Sequence, residues 1–307
     1  MHRPSNAISQ KVAITRQITL ISTGTAIVLI ALKAGAFAAS GSLAILASLA
    51  NSALDLVASL VTLFAVRYAA APPDAEHRFG HGKAEAFASL MQAGLVFASG
   101  ALIGREAIGR LLHPAAVSVD GWSIAVMVLS ILITGVLITL QSRALAQTGS
   151  IAVEGDRAHY AADLGSNAVV ILGLVVTALT GVVWVDAAAG LIVAAWLVWG
   201  AIGVFSGAAN QLMDRELSDE DRERVLALMA ADPKVRGVHQ LRTRESGPYI
   251  HIQAHMDLDP DLTLEAAHAI VVAAERRILE AFPTADILLH ADPRGRAETH
   301  GGVFSEG

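Results

Sequence analysis

Two pairs of polar residues lie within hydrophobic parts of the sequence. Asn51 and Asp55 are four residues apart, and His159 and Asp163 repeat that spacing further along the chain. Residues four apart share one face of an α-helix. Two helices that each present such a pair offer four oxygen and nitrogen ligands and two negative charges. That set suits tetrahedral coordination of a divalent metal such as zinc.

The same residues also have a purely structural explanation. A carboxylate is costly in hydrocarbon unless it is paired or coordinated. Hydrogen bonds between helices, or a pairing of His159 with Asp163, would also satisfy that requirement. One such pair alone would favour the structural explanation, whereas two matched pairs in otherwise apolar segments favour an ion-binding site.

A second group of candidate ligands lies in the polar stretch DAEHRFGHGKAE, residues 74–85. Asp74, His77 and His81 have side chains that bind metals, and Gly80 and Gly82 permit a tight turn beside them. Short sets of His and Asp are also common in solvated loops. The spacing therefore leaves a metal site and an ordinary polar loop as equal alternatives.

The C-terminal part of the sequence is rich in histidine. Its candidate ligands are His239, His251, His255, His268 and His290, with Asp292 close to the last. On a predicted strand, His251 and His255 alternate with their neighbours and share one face with Gln253. Scattered histidines are usually solvent-exposed and without function, but this density favours metal binding. The spacing does not decide which of them are ligands.

The hydropathy of the chain indicates which elements hold these residues. Of 307 residues, 54% are hydrophobic and 16% are charged, whereas about a quarter of an average soluble domain is charged. Several uncharged stretches approach or exceed the roughly 20 residues that a helix needs to cross a bilayer. The first reaches that length only if it tolerates Lys33. The predicted transmembrane helices are 12–38, 41–70, 84–112, 118–147, 151–181 and 186–209.

The composition becomes typical of a soluble protein after the sixth predicted helix. An amphipathic helix with Ser218 as its N-cap, two strands, a helix and a last strand follow in the order α-β-β-α-β. This order indicates a small two-layer α+β domain. The predicted strands are 237–245, 249–258 and 285–290, and the helix between the last two strands is 264–282.

We therefore predict an α-helical membrane protein with four parts. They are an N-terminal cytoplasmic segment (1–11), a six-helix transmembrane domain (12–209), a cytoplasmic metal-binding domain (210–292) and a disordered tail (293–307). Lys and Arg cluster before the first helix and in the turns after the second and fourth helices. By the positive-inside rule, both termini and the soluble domain face the cytoplasm. Arg105 and Arg110 run against this pattern without reversing it.

Missing residue types and motifs narrow the chemistry. The chain has no cysteine, which excludes disulfides and thiolate ligands and makes Cu(I) a poor match. It has no basic run of the kind that binds nucleic acid. It contains neither HExxH nor GxSxG, and four protein ligands would leave no position for a catalytic water. A membrane metalloenzyme is therefore a weak alternative, and no cofactor is predicted besides the bound ion.

Four segments of the chain together resemble the cation diffusion facilitators, in the bacterial zinc and iron efflux branch. They are GSLAILASLANSALDLVASL, HRFGHGKAEAF, DRAHYAADLGSN and HQLRTRESG, and the resemblance extends over residues 11–292. It implies a homodimer in the cell inner membrane with six transmembrane helices per subunit. It also implies a metallochaperone-like cytoplasmic domain and metal/proton antiport.

The resemblance also implies roles for individual residues. The transport site would be Asn51, Asp55, His159 and Asp163, and a loop site would be Asp74, His77 and His81. Family ligand positions in the soluble domain fall on His239, His268, His290 and Asp292. Lys83 and Asp214 match a pair that interlocks the helical bundle with the soluble domain.

Two positions depart from the family pattern. Asn51 stands where zinc transporters of the family usually have Asp or His, which leaves the identity of the metal open. Gln253 stands where close relatives have His, and His251 and His255 are the candidate substitutes.

We therefore expect a secondary-active exporter of Zn²⁺ or Fe²⁺ that is driven by inward proton flow. Its tetrahedral site would lie on helices two and five within the bilayer. His159 is the expected proton carrier, because an imidazole can exchange a proton for a metal ion near neutral pH. The remaining alternative is a non-transporting, metal-sensing membrane subunit, in which Asn51 marks a degraded transport site.

Overall fold

A computed structural model describes residues 6–41, 43–112, 121–180 and 184–295. The chain divides into two compact units, one formed by Lys11–Ala209 and the other built around the residues from Asn210 onward. Most of the predicted disordered tail, the first five residues and the predicted beginning of the fourth helix at 118–120 lie outside the described residues.

The first unit consists of six long helices. They are α1 (Asn6–Ser40), α2 (Leu43–Ala69), α3 (Ala84–Leu112), α4 (Gly121–Thr148), α5 (Ile151–Thr180) and α6 (Trp184–Leu212). Among the described residues, α1 to α4 and α6 each contain a segment long and apolar enough to cross a membrane. The charged residues of α5 all lie in its first half, and its role as the sixth span stays a prediction.

Large apolar side chains cover the outside of the helical unit. Leu54, Phe64, Ile192 and Trp199 are each more than 60% exposed. A soluble protein rarely exposes apolar patches of this extent, whereas lipid-facing helices require them. Together with the five apolar spans, this surface makes the chain a multi-pass membrane protein.

Small residues bring the helices that carry the polar pairs into close contact. A Cβ atom added to Gly155 on α5 would lie 3.0 Å from Ser89 on α3, and one added to Gly190 on α6 would lie 3.1 Å from Ala107. Close approach of backbones at small residues is the usual way in which helices associate within membranes. Because Gly155 is one turn before His159, this contact also fixes the position of that imidazole.

The second unit is a three-stranded sheet covered by helices on one face. Its elements are α7 (Asp219–Met229), β1 (Gly237–Ser246), β2 (Tyr249–Leu258), α8 (Leu264–Ala281) and β3 (Ala285–Pro293). Strand β2 is central, antiparallel to β1 and parallel to β3. The Oγ of Ser218 accepts a hydrogen bond from the backbone N–H of Asp221, which makes Ser218 the N-cap of α7. The predicted fold class, including the α-β-β-α-β order, is confirmed.

The two faces of β2 have different roles. Ile252, Ala254, Met256 and Leu258 are buried in a core that also contains residues of α7 and α8. The alternate residues of β2 lie on the opposite face, which we call the open face. Strand β3 continues to Pro293, beyond the predicted end at 290, because its last residues pair with the end of β2.

A bulge in β1 determines which of its residues reach the open face. The pairing with β2 shifts between His239 and Arg242, and Gln240 has a left-handed backbone with φ 51°. An extra residue in one strand changes the face on which the following side chains lie. As a result His239 and Arg242 pair with His255 and Gln253, two residues that share the open face of β2.

Candidate metal centres

The first group of candidate ligands lies between α2 and α5 inside the helical unit. His159 Nε2 is 3.3 Å from Asp55 Oδ1 and 3.7 Å from Asp163 Oδ2. Asp55 and His159 are 4% and 5% exposed. The structure thus brings together three of the four residues that the sequence assigned to an intramembrane site, and they come from the two predicted helices.

The fourth residue, Asn51, is next to this group. It lies on α2, one turn before Asp55, and its side-chain amide hydrogen-bonds to the carboxyl group of Asp163. His159 Nδ1 and Asp163 Oδ2 are buried and have no hydrogen-bond partner among the described residues. A buried polar atom without a partner is costly, so both atoms fit a site completed by an ion or by water.

Tyr160 holds α5 in the orientation that this group needs. Its hydroxyl is 2.9 Å from Ser59 Oγ on α2 and 3.3 Å from the carbonyl oxygen of Ser22 on α1. The side chain is 1% exposed. Because Tyr160 is adjacent to His159, these contacts fix the rotation of α5 that turns His159 towards Asp55.

Two buried ionisable residues near this group were missed as site residues in the sequence analysis. Lys33 on α1 is 5% exposed, and its Nζ donates to Ser52 Oγ at 2.6 Å and to the carbonyl oxygen of Ser48 at 3.3 Å. Asp156 on α5 is 1% exposed. Both are ionisable residues within predicted spans, and that feature alone marks a residue as functional by default.

Asp156 is the centre of a buried polar network one turn before His159. Its Oδ2 accepts a hydrogen bond from Gln141 Nε2 on α4 at 2.8 Å, and its Oδ1 accepts one from Gln92 Nε2 on α3 at 3.4 Å. Gln141 Nε2 also donates to Ser22 Oγ on α1 at 3.0 Å. Asp156 therefore connects four helices, and its carboxylate is satisfied by amide donors rather than directed at the first group.

The second group lies in the loop between α2 and α3. His77 Nδ1 is 3.3 Å from Asp74 Oδ1, and His81 Nε2 is 3.2 Å from Asp74 Oδ2. Hydrogen bonds from the backbone N–H groups of His77 and Glu76, the former being the stronger influence, lower the pKa of the Asp74 carboxyl group. Gly80 has φ +80°, which fits the predicted tight turn. The loop thus presents one ionised carboxylate and two imidazoles.

The third group is a row of residues across the open face of the C-terminal sheet. His239, His255 and His290 are directly paired on β1, β2 and β3, and neighbouring rings have centroids 5.2 Å and 5.0 Å apart. Asp292 contacts all three. Its carboxylate oxygens are 2.8 Å from His255 Nδ1, 3.4 Å from His239 Nε2 and 3.2 Å from His290 Nε2.

The other soluble-domain candidates are placed differently. Asp257, which the sequence analysis did not consider, lies 3.5 Å from His239 Nε2. His251 lies further along the open face, where its Nδ1 is 3.2 Å from Asp286 Oδ2. Burial, and then the nearby Arg244, lowers the pKa of His251. His268 is exposed on α8, outside this group. The structure thus puts His255, rather than His251, beside Asp292.

The predicted interlock residues belong to different units. Lys83 immediately precedes α3, and Asp214 follows α6 with a left-handed backbone, φ 57°. Within the C-terminal unit, Asp214 Oδ1 is 3.2 Å from Arg244 Nη1. The ion pair between Lys83 and Asp214 stays a prediction.

Comparison with known proteins identifies both units. Residues 19–213 match the cation efflux transmembrane domain, and residues 217–294 match the cytoplasmic domain of cation efflux proteins. Two solved structures of CzrB, one in its Zn form, are 30% and 31% identical to this chain. They cover 28% and 26% of it and have TM-scores of 0.26 and 0.25.

Full-length relatives give the same result. A protein of Shewanella oneidensis named cation-efflux pump FieF is 39% identical over 89% of this chain and 92% of its own length. Proteins with that name from Cronobacter sakazakii and Serratia proteamaculans are 36% and 34% identical, over 89% and 92% of this chain. The chain belongs to the cation efflux family, the cation diffusion facilitators, whose members are membrane transporters of metal cations rather than enzymes.

Proposed function

We propose that this protein exports a divalent transition metal, Zn²⁺ or Fe²⁺, across the cell inner membrane in exchange for protons. The transport site consists of Asn51, Asp55, His159 and Asp163. Relatives that are named cation-efflux pumps over nearly the whole chain support export as the direction of transport.

The observation that carries the proposal is the buried contact of one imidazole with two carboxylates from two helices. His159 Nε2 lies within 3.7 Å of both Asp55 and Asp163. Two carboxylates neutralise a divalent ion, while imidazole and amide ligands add no charge. Nitrogen and oxygen donors without thiolate suit Zn²⁺ and Fe²⁺ better than Cu(I).

Exchange for protons follows from the chemistry of the same ligands. A metal binds a deprotonated imidazole and ionised carboxylates, so that binding releases protons and protonation releases the metal. His159 contacts both carboxylates and is therefore the residue on which proton and metal compete most directly. Helices α2 and α5 would carry the site between the two sides of the membrane as the bundle rocks.

The other two groups have supporting roles in this proposal. Asp74, His77 and His81 bind a metal ion at the cytoplasmic surface. The C-terminal domain faces the cytoplasm, forms the homodimer contact and binds metal through His239, His255, His290 and Asp292. Lys83 and Asp214 form an ion pair that couples the two units. The match of residues 217–294 to the family's cytoplasmic domain supports these assignments.

Transport by the purified protein alone is the direct test of this function. Liposomes that contain the protein and an imposed pH gradient should show Zn²⁺ or Fe²⁺ flux, followed by a metal-sensitive dye in the lumen. Protein-free liposomes and liposomes without a pH gradient are the controls. A folded protein that binds metal but gives no flux would contradict export and support a metal-sensing subunit instead.

Substitution of Asn51 tests whether this position contacts the ion. Asn51→Asp is expected to tighten Zn²⁺ binding at the transport site by about tenfold or more, because a third carboxylate adds several kcal/mol of attraction that desolvation only partly cancels. Asn51→Leu removes the amide without adding charge and should weaken binding. Competition with a chelator of known affinity measures both changes. Equal affinities in the three proteins would place Asn51 outside the coordination sphere.

A further inference from the structure

Lys33 is an ammonium group buried at the edge of the proposed transport site. Its Nζ donates to Ser52 Oγ at 2.6 Å and to the carbonyl oxygen of Ser48 at 3.3 Å. Both acceptors lie on the stretch of α2 that also carries Asn51 and Asp55. The lysine of α1 thus reaches the turn of α2 that presents the metal ligands.

The nearest anions to Lys33 are the carboxylates of the transport site. Asp55 and Asp163 both act electrostatically on the ammonium group. Among the described residues, no carboxylate lies within ion-pairing distance of Nζ, whose polar contacts are the two serine oxygens. A lysine inside a membrane normally pairs with an acid or marks an ion pathway. Here it is held close to two acids without neutralising either one directly.

This arrangement changes the charge that the site presents to an ion. Asp55 and Asp163 contribute two negative charges, and Lys33 returns one positive charge at short range. A divalent ion that enters the site is attracted by the carboxylates and repelled by the ammonium group. In a buried site such repulsion is only weakly screened. The metal is therefore held less tightly than its four ligands alone would hold it.

We propose that Lys33 is a fixed cation that limits the metal affinity of the transport site and thereby permits release of the ion. The hydrogen bonds to Ser52 and Ser48 hold Nζ beside the ligands, outside the coordination sphere. The inference rests on the proposed transport site at Asp55, His159 and Asp163. It adds a residue that determines affinity without binding the ion, on a helix that contributes no ligand.

The test compares Zn²⁺ binding and transport in Lys33→Met, Lys33→Arg and the wild type, all as purified full-length protein. Lys33→Met keeps a side chain of similar length and removes the charge, so its Kd for Zn²⁺ should fall by about tenfold or more. In liposomes, KM and kcat should both fall, because tighter binding slows release. Lys33→Arg keeps the charge and should stay within about threefold of the wild type in Kd.

An additional variant separates this effect from a structural role of Lys33. Ser52→Ala removes the 2.6 Å hydrogen bond but leaves the charge in place. If Lys33 only ties α1 to α2, then Lys33→Met and Ser52→Ala should lower the melting temperature alike and leave the Kd unchanged. Either that result or a weaker Kd in Lys33→Met would overturn the inference.

Asp55→Ala identifies which binding event belongs to the transport site. In calorimetry, the component that tightens in Lys33→Met should be absent from Asp55→Ala and from the double variant. If Asp55→Ala leaves all Zn²⁺ binding unchanged, the proposed transport site itself is wrong. If Asp55→Ala removes a component that Lys33→Met does not affect, only the role of Lys33 is refuted.

Discussion

Alanine at Asp55 or Asp163 is expected to abolish metal transport while leaving the protein folded. Each carboxylate supplies half of the negative charge around the ion, and His159 Nε2 lies 3.3 Å and 3.7 Å from them. Removing one member of a buried charged contact costs about 2–5 kcal/mol, which corresponds to a loss of metal affinity of about 30-fold to several thousand-fold. Flux should therefore fall to the level of protein-free liposomes at metal concentrations that saturate the wild type.

A matched carboxylate outside the site provides the control for this experiment. Glu106 lies on α3, where its Oε1 is 3.0 Å from Arg110 Nε, and its side chain is 69% exposed. Glu106→Ala also removes one acid from the helical unit, but it should transport normally. Melting temperatures of all variants show whether they are folded. Transport at the wild-type rate by Asp55→Ala or Asp163→Ala would refute the assignment of the site.

The sequence was sufficient to predict the transport group because helix geometry relates spacing to position. Residues four apart lie on one face wherever the helix is placed, so Asn51 with Asp55 and His159 with Asp163 were already paired. The cost of a carboxylate in hydrocarbon then favoured a meeting of the two helices. The structure shows that meeting, in which Asp55 and His159 are in contact.

Residues that act through tertiary contacts could not be assigned in this way. Lys33 was treated only as an interruption of the first apolar stretch, because its neighbours in sequence give no partner. Its acceptors, Ser48 and Ser52, are on another helix. Asp156 meets the same criterion as Asp163, since both are acids near His159 on α5. Only the amides of Gln92 and Gln141, from two further helices, show that it belongs to a separate network.

The histidines of the soluble domain show a different limit of sequence analysis. The alternation on β2 correctly placed His251 and His255 on one face, but it gave no reason to choose between them. The choice depends on strand pairing, which aligns His255 with His239 and His290, and His251 with Arg244 and Asp286. The alignment of His239 also requires the bulge at Gln240. No sequence pattern that we considered predicts that bulge.

Asp292 is expected to be the residue on which metal binding by the soluble domain depends most. It is 5% exposed, and its two oxygens contact the imidazoles of His239, His255 and His290. Residues 210–295, which contain a complete hydrophobic core, should bind Zn²⁺ when expressed alone. With Zn²⁺ at 100 times its Kd, binding would stabilise the domain by about 2.7 kcal/mol. Asp292→Ala should weaken binding by about 30-fold or more and remove most of that stabilisation.

The control for Asp292 comes from the same strand. Asp286 lies on β3 and contacts His251, and its side chain is 73% exposed. Asp286→Ala thus removes an acid and a histidine contact from the same sheet, six residues before Asp292. It should keep both the Zn²⁺ affinity by calorimetry and the rise in melting temperature on adding Zn²⁺. If the two variants lose affinity equally, the sheet attracts the metal through its overall charge. If neither loses affinity, the row of His239, His255, His290 and Asp292 does not bind the metal.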